Sequence, residues 1–130
     1  MLDHIGFVVS AFARSTAFDE HAHAPLGVGL GVDASAERTG AASHAGFGEA
    51  GRPYFRIGDD ANVLHGRLHV GFAAGSRGDV DAVHRAAIAT GARDDGAPRL
   101  RPQDHARCYA AFVLDPDGHD VEAARHSAAS

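Results

Sequence analysis

Two imidazoles and a carboxylate, His4, His69 and Glu122, have the residue types and the setting to hold a divalent cation. His4 sits in Leu2-Asp-His-Ile-Gly-Phe7, and a shortened form of that pattern, Leu68-His-Val-Gly-Phe72, carries His69. Glu122 closes the stretch Phe112-Val-Leu-Asp-Pro-Asp-Gly-His-Asp-Val-Glu122. Such a set suits Zn²⁺, Ni²⁺, Mn²⁺, Co²⁺ or Fe²⁺, and three protein ligands leave coordination positions for substrate or water. Two residues beyond each donor stands a small residue, Gly6, Gly71 or Ala124, which leaves room beside it. An ion held there could act as a Lewis acid on what occupies those coordination positions.

Strand alternation is what must bring these donors to one side. In Leu2–Val9 the residues Ile5, Phe7 and Val9 form an apolar face, with His4 and Gly6 on the other. In Leu68–Ala74, Val70 and Phe72 oppose His69 and Gly71. Tyr109–Leu114 and His119–Ala124 read as a hairpin about Asp115-Pro-Asp-Gly118, with Val121 and Ala123 opposed to Asp120 and Glu122. Ser43–Glu49 and Pro53–Gly58 form a second hairpin, Phe55 and Ile57 facing a core and Tyr54 and Arg56 facing away. Tyr109 is expected on the same side as Glu122, as a proton donor. The remaining histidines, His21, His23, His44, His65, His84, His105, His119 and His126, read as mostly solvated, and Cys108 as inert. Asp79, Asp81 and Arg85 read as a solvated helix face, and Asp19 has no evident role.

Ser10 is positioned to cap a helix from about Phe12 to Ala24 that turns Phe12, Phe18 and Ala22 inward and ends at Pro25-Leu-Gly27. The glycine-rich Gly27–Val32 stretch follows a helix, whereas a dinucleotide fingerprint opens one, so it reads as a short strand. Residues 33–41 read as an exposed turn and 59–65 as a linker. Ser76-Arg-Gly-Asp79 has capping-box spacing before Val80, Val83, Ala87 and Ile88, and Gly91 ends that helix. A short strand inside a loop is expected over residues 93–105.

The order of elements repeats. The interval from His4 to His69 equals, to within one residue, the interval between the helix-ending glycines Gly27 and Gly91. Each half reads as strand, helix and two or three further strands, the mark of a duplicated module. The fold class is therefore α+β: one domain of 130 residues, with module 1 over about 1–60 and module 2 over about 66–126. Two such modules would line a concave surface with His4, Tyr54, Arg56, His69, Tyr109 and Glu122.

A formal net charge of −5 with scattered basic residues argues against nucleic acid or an anionic membrane as partner. One cysteine excludes an internal disulfide, and no apolar run reaches a membrane span. The N-terminus lacks the look of a signal peptide, so a cytoplasmic location is expected.

In Leu2–Phe7, Leu68–Phe72 and Phe112–Glu122 the chain resembles the vicinal oxygen chelate superfamily, the glyoxalase, bleomycin-resistance and extradiol-dioxygenase group. The resemblance implies two βαβββ modules forming an open, barrel-like mixed sheet with helices outside. It implies His4, His69 and Glu122 as metal ligands, a small-molecule substrate and a homodimer. Glyoxalase I enzymes add a fourth ligand, a Glu on the last strand of the first module that also takes part in proton transfer. Here that strand is Pro-Tyr-Phe-Arg-Ile, offering Tyr54, Phe55 or Arg56. Arg56 weakens cation binding by its charge, or binds an anionic substrate in bidentate fashion. Glu122, Tyr109 and Arg56 are thus the catalytic candidates. Glyoxalase-like lyase or isomerase chemistry leads by the resemblance, and epoxide addition as in fosfomycin-resistance relatives also fits. The alternatives are an Fe(II) extradiol-type dioxygenase and a metal-free drug-binding protein.

Overall fold

The computed structural model describes residues 3–34, 43–50, 52–59, 68–103 and 107–127. The expected turn at 33–41 and linker at 59–65 lie largely outside them, as do His65 and His105. The chain divides into two compact units, Met1–Gly66 and Arg67–Ser130.

The first unit runs β1 (Ile5–Val9), α1 (Phe12–His23), a 3₁₀ turn (Ala24–Leu26), β2 (Gly29–Ala34), β3 (His44–Glu49) and β4 (Arg52–Asp59). The second runs β5 (His69–Ala73), α2 (Arg77–Ala89), β6 (Arg93–Leu100), β7 (Tyr109–Leu114) and β8 (Asp120–Arg125). Both are βαβββ modules. Each folds as one four-stranded mixed sheet, in the orders β1-β4-β3-β2 and β5-β8-β7-β6. In each, the strand before the helix lies parallel to the last strand, and the others pair antiparallel. The duplication read from the sequence is therefore a duplication of topology.

In the first unit the apolar parity of the strands is buried: Val9, Ala45, Phe47, Phe55 and Ile57 lie with Phe18 and Ala22 of α1. Phe47 and Phe55 are register partners with ring centroids 6.1 Å apart. Gly48 stands at a bulge, and a Cβ there would overlap the Arg52 carbonyl oxygen. Only glycine fits. In the second unit Phe72, Ala111, Val113, Val121 and Ala123 are buried together with Val80, Val83 and Ala87 of α2. Burial of each large side chain contributes about 1.5–3 kcal/mol.

Several local expectations need correction. Ala11, not Ser10, is the N-cap of α1, and it makes no side-chain capping bond. The buried side of α1 also holds polar residues, Ser15, Asp19 and His23 at four-residue intervals. Ile88 is exposed rather than inward. Over residues 93–105 the strand is eight residues long. Register shifts on either side of Gly96 break its alternation, which hid its length. Ser76 does cap α2, its Oγ accepting from the Asp79 N–H at 3.0 Å. The turn after β7 also forms, with Gly118 at φ 81° and the Asp115 carboxylate accepting the N–H groups of Asp117 and His119. Among the described residues no helix is long and apolar enough to cross a membrane.

Candidate functional site

The parallel β5–β8 ladder sets His69 against Asp120 and Gly71 against Glu122. All four lie on the parity opposite Val70, Phe72, Val121 and Ala123, hence on the sheet face away from α2. Gly71 is small, and a Cβ there would come within 3.6 Å of Glu122 Oε1. The His69 imidazole lies between two acids. Its Nδ1 contacts Asp120 Oδ2 at 2.9 Å and its Nε2 contacts Glu122 Oε1 at 3.0 Å. Phe112, the register partner of Glu122, places its ring 6.2 Å from the imidazole. Partial desolvation works to lower the His69 pKa. The hydrogen bonds and charges of Asp120 and Glu122 outweigh it and hold the imidazole above its ordinary range.

Two donors bound side by side to one ion at about 2.1 Å are themselves about 3.0–3.4 Å apart, depending on coordination number. The His69–Glu122 separation fits neighbouring positions on one cation. Among the described residues no group of three or more His, Cys, Asp or Glu is placed to hold a metal ion.

His4 belongs to the first unit. It stands one residue before β1, exposed, with its Nδ1 2.8 Å from Asp3 Oδ2. In that unit Gly6 pairs with Arg56 across the parallel β1–β4 ladder. Gly6 follows His4 by two residues as Gly71 follows His69. Arg56 is therefore the topological counterpart of Glu122. It is exposed, on the face away from the core that holds Phe55 and Ile57. A cavity of about 640 Å³ in the same unit is lined by Asp3, Glu49, Ala50, Arg52, Pro53 and Tyr54. Burial, followed by the charge of Glu49, pushes the Tyr54 phenol up.

Tyr109 does not share the face of Glu122. Its register partner is Arg125, and Ala111–Ala123 and Val113–Val121 continue its parity toward α2. Its hydroxyl donates to Asp81 Oδ1 on that helix at 2.6 Å, and the Arg77 guanidinium lies 5.3 Å from its ring centroid. Asp81 is accordingly a packing partner rather than part of a solvated face.

Two histidines read as solvated are buried. His119 accepts the Leu68 N–H on Nδ1 at 2.9 Å, tying the start of β5 to the start of β8. His23 lies beside Asp19 at 3.7 Å and between Phe18 and Phe55, whose ring centroids are 6.3 and 6.0 Å away. The sequence reading also passed over Arg101, which is buried on the Glu122 side. Its guanidinium stacks 4.8 Å from the Phe112 ring centroid and donates to the carbonyls of Ala97 and Ala110. Asp120 was legible as sharing the parity of Glu122, but nothing in the sequence assigned it a partner.

The glyoxalase/bleomycin resistance protein/dioxygenase superfamily model matches residues 1–123. The chain belongs to this superfamily. Among solved structures, a glyoxalase/bleomycin resistance protein from Albidiferax ferrireducens T118 is 26% identical with a TM-score of 0.77, over 95% of this chain and 97% of that one. A glutamate-to-glutamine mutant of the fosfomycin resistance protein FosX from Listeria monocytogenes is 20% identical with a TM-score of 0.65, over 100% and 90%. Its structure holds Mn(II) and 1S,2S-dihydroxypropylphosphonic acid. A glutamate-to-glutamine mutant of glyoxalase I from Zea mays is 18% identical with a TM-score of 0.71, over 95% of this chain and 46% of that one. Comparison with curated protein sequences yields no match.

Proposed function

We propose that this superfamily member is a metal-dependent enzyme acting on a small, oxygen-chelating substrate, with His4, His69 and Glu122 as the protein ligands. The observation that carries the reading is the His69 Nε2–Glu122 Oε1 separation of 3.0 Å on the sheet face away from α2. Both modules act as one domain, in a cytoplasmic homodimer. A bound divalent ion would polarise substrate oxygens as a Lewis acid.

Arg56 supports a choice of subclass. It stands where the topology would otherwise supply a further carboxylate, so the ligand set stops at three and glyoxalase I-type proton transfer lacks its acid–base group. A guanidinium there suits a substrate carrying a carboxylate or phosphonate, gripped by paired N–H donors. FosX, whose structure holds a phosphonic acid, supports this choice within the glyoxalase-like class. The same two-His, one-carboxylate set also supports Fe(II) extradiol-type chemistry as a second reading. Tyr109 is left out because its hydroxyl is engaged by Asp81.

The test is metal analysis of protein purified without chelator, for wild type and for His4→Ala, His69→Ala and Glu122→Ala. Wild type is expected to retain a divalent ion that each variant loses. Turnover is then assayed with methylglyoxal and a thiol, with an epoxide-bearing phosphonate, and with catechol under oxygen. An unmetallated wild type that gains no activity with Mn²⁺, Ni²⁺, Zn²⁺ or anaerobic Fe²⁺ sinks the proposal in favour of metal-free ligand binding. Oxygen uptake with catechol selects the dioxygenase. Sedimentation as a monomer rejects the dimer.

A further inference from the structure

We propose that Asp120 positions His69 by accepting the Nδ1 proton, so that Nε2 is presented toward Glu122 and a divalent cation; this rests on the metal-holding reading above. Asp120 is the direct register partner of His69, and its Oδ2 lies 2.9 Å from Nδ1. The strand itself does not need this carboxylate. The Asp120 backbone N–H already serves the ladder by donating to the Leu68 carbonyl, and Oδ1 is buried with no hydrogen-bond partner among the described residues. A half-buried acid with one unsatisfied oxygen costs stability that an apolar strand residue would not. Its use is therefore in what Oδ2 holds.

A neutral imidazole carries one proton. Asp120 at Nδ1 and Glu122 at Nε2 compete for it; where Asp120 holds it, the lone pair is left on Nε2, where a cation binds. The first unit reaches the same arrangement by another route. There Asp3, the residue before His4 in the chain, takes Nδ1 at 2.8 Å. Both candidate histidines thus engage an acid through the same ring nitrogen.

The test begins with metal-free, ¹⁵N-labelled protein at a pH where His69 is neutral, reading its tautomer from ring-nitrogen shifts. Wild type is expected to show the Nδ1–H form. Asp120→Asn, whose amide oxygen still accepts, should keep it, and Asp120→Ala should move it to Nε2–H, donating to Glu122. Zn²⁺ affinity, measured by chelator competition, should fall about 10–100-fold in Asp120→Ala and largely recover in Asp120→Asn. Asp120→Val repeats the comparison in a strand-favouring residue should the alanine variant fail to fold. A wild type in the Nε2–H form overturns the proposal, as does an Asp120→Ala protein with unchanged tautomer and Zn²⁺ affinity. If the tautomers move as expected while wild type binds no Zn²⁺, Asp120 still positions His69 and the metal reading fails.

Discussion

His69 Nε2 and Glu122 Oε1 meet at 3.0 Å although 53 residues separate them in the chain. The parallel β5–β8 ladder makes that meeting, and the parallel β1–β4 ladder repeats it with Gly6 and Arg56. One duplicated scaffold thus presents an acid in its second copy and a base in its first.

Replacing that base tests what it does. Arg56→Glu exchanges a cation for a carboxylate at the counterpart of Glu122; on the proposed three-ligand site this would remove repulsion and add a donor. Divalent-metal affinity is expected to rise by about tenfold or more, which is about 1.4 kcal/mol. Chelator competition with Zn²⁺ and Ni²⁺ checks this, and Arg56→Ala should fall between the two. Phosphonate or carboxylate binding should weaken in both.

Tyr109→Phe removes the hydroxyl that donates to Asp81 Oδ1 at 2.6 Å. The bond joins a half-buried phenol to a helix carboxyl group, and its loss should cost about 1–2 kcal/mol. Urea unfolding of the variant measures this. Metal affinity should stay at the wild-type value, because the hydroxyl lies on the α2 side of the sheet. A loss of metal with unchanged stability would contradict the placement.

His119→Ala leaves the Leu68 N–H without its acceptor beside a new cavity at the β5–β8 junction. A loss of about 2–4 kcal/mol is expected. His119→Asn places an acceptor oxygen near the lost Nδ1 and should restore part of it. Denaturant midpoints of the three proteins give the comparison.

Burial holds His23 well below its ordinary value, at about 4, although a hydrogen bond with the Asp19 backbone works the other way. The unfolded residue titrates near 6.5, so acidification protonates the unfolded chain first. Stability from neutral His23 is complete above about pH 6.5, falls through the interval below it, and is lost by about pH 4. The total is about 3 kcal/mol. Wild type should therefore lose stability between about pH 6.5 and 4 more steeply than His23→Gln, measured by urea unfolding at each pH.

The repeat, the Asp115–Gly118 turn and the common parity of His69 and Gly71 were all legible, because each is a local pattern. So was the sharing of one face by Asp120 and Glu122. The side taken by Tyr109 was not. Alternation orders residues within a strand, but register across a turn decides which parity of β7 meets which parity of β8. Leu114 opposes Asp120, and that puts Phe112, not Tyr109, beside Glu122. His23 and His119 misled for a different reason. Polarity suggests exposure, whereas an aromatic setting in one case and a backbone N–H in the other favour burial. That Arg56 is the counterpart of Glu122 needed the β1–β4 register, which no local pattern shows.

The His69–Glu122 pair exists only while β5 and β8 are zipped together. An extended chain offers no such chelate. Any ion captured by the pair is therefore thermodynamically linked to cohesion of the second unit, and its binding free energy becomes folding free energy. At a hundredfold excess over its dissociation constant the ion would add about 2.7 kcal/mol. Loss of such an ion would then thin the population of intact molecules.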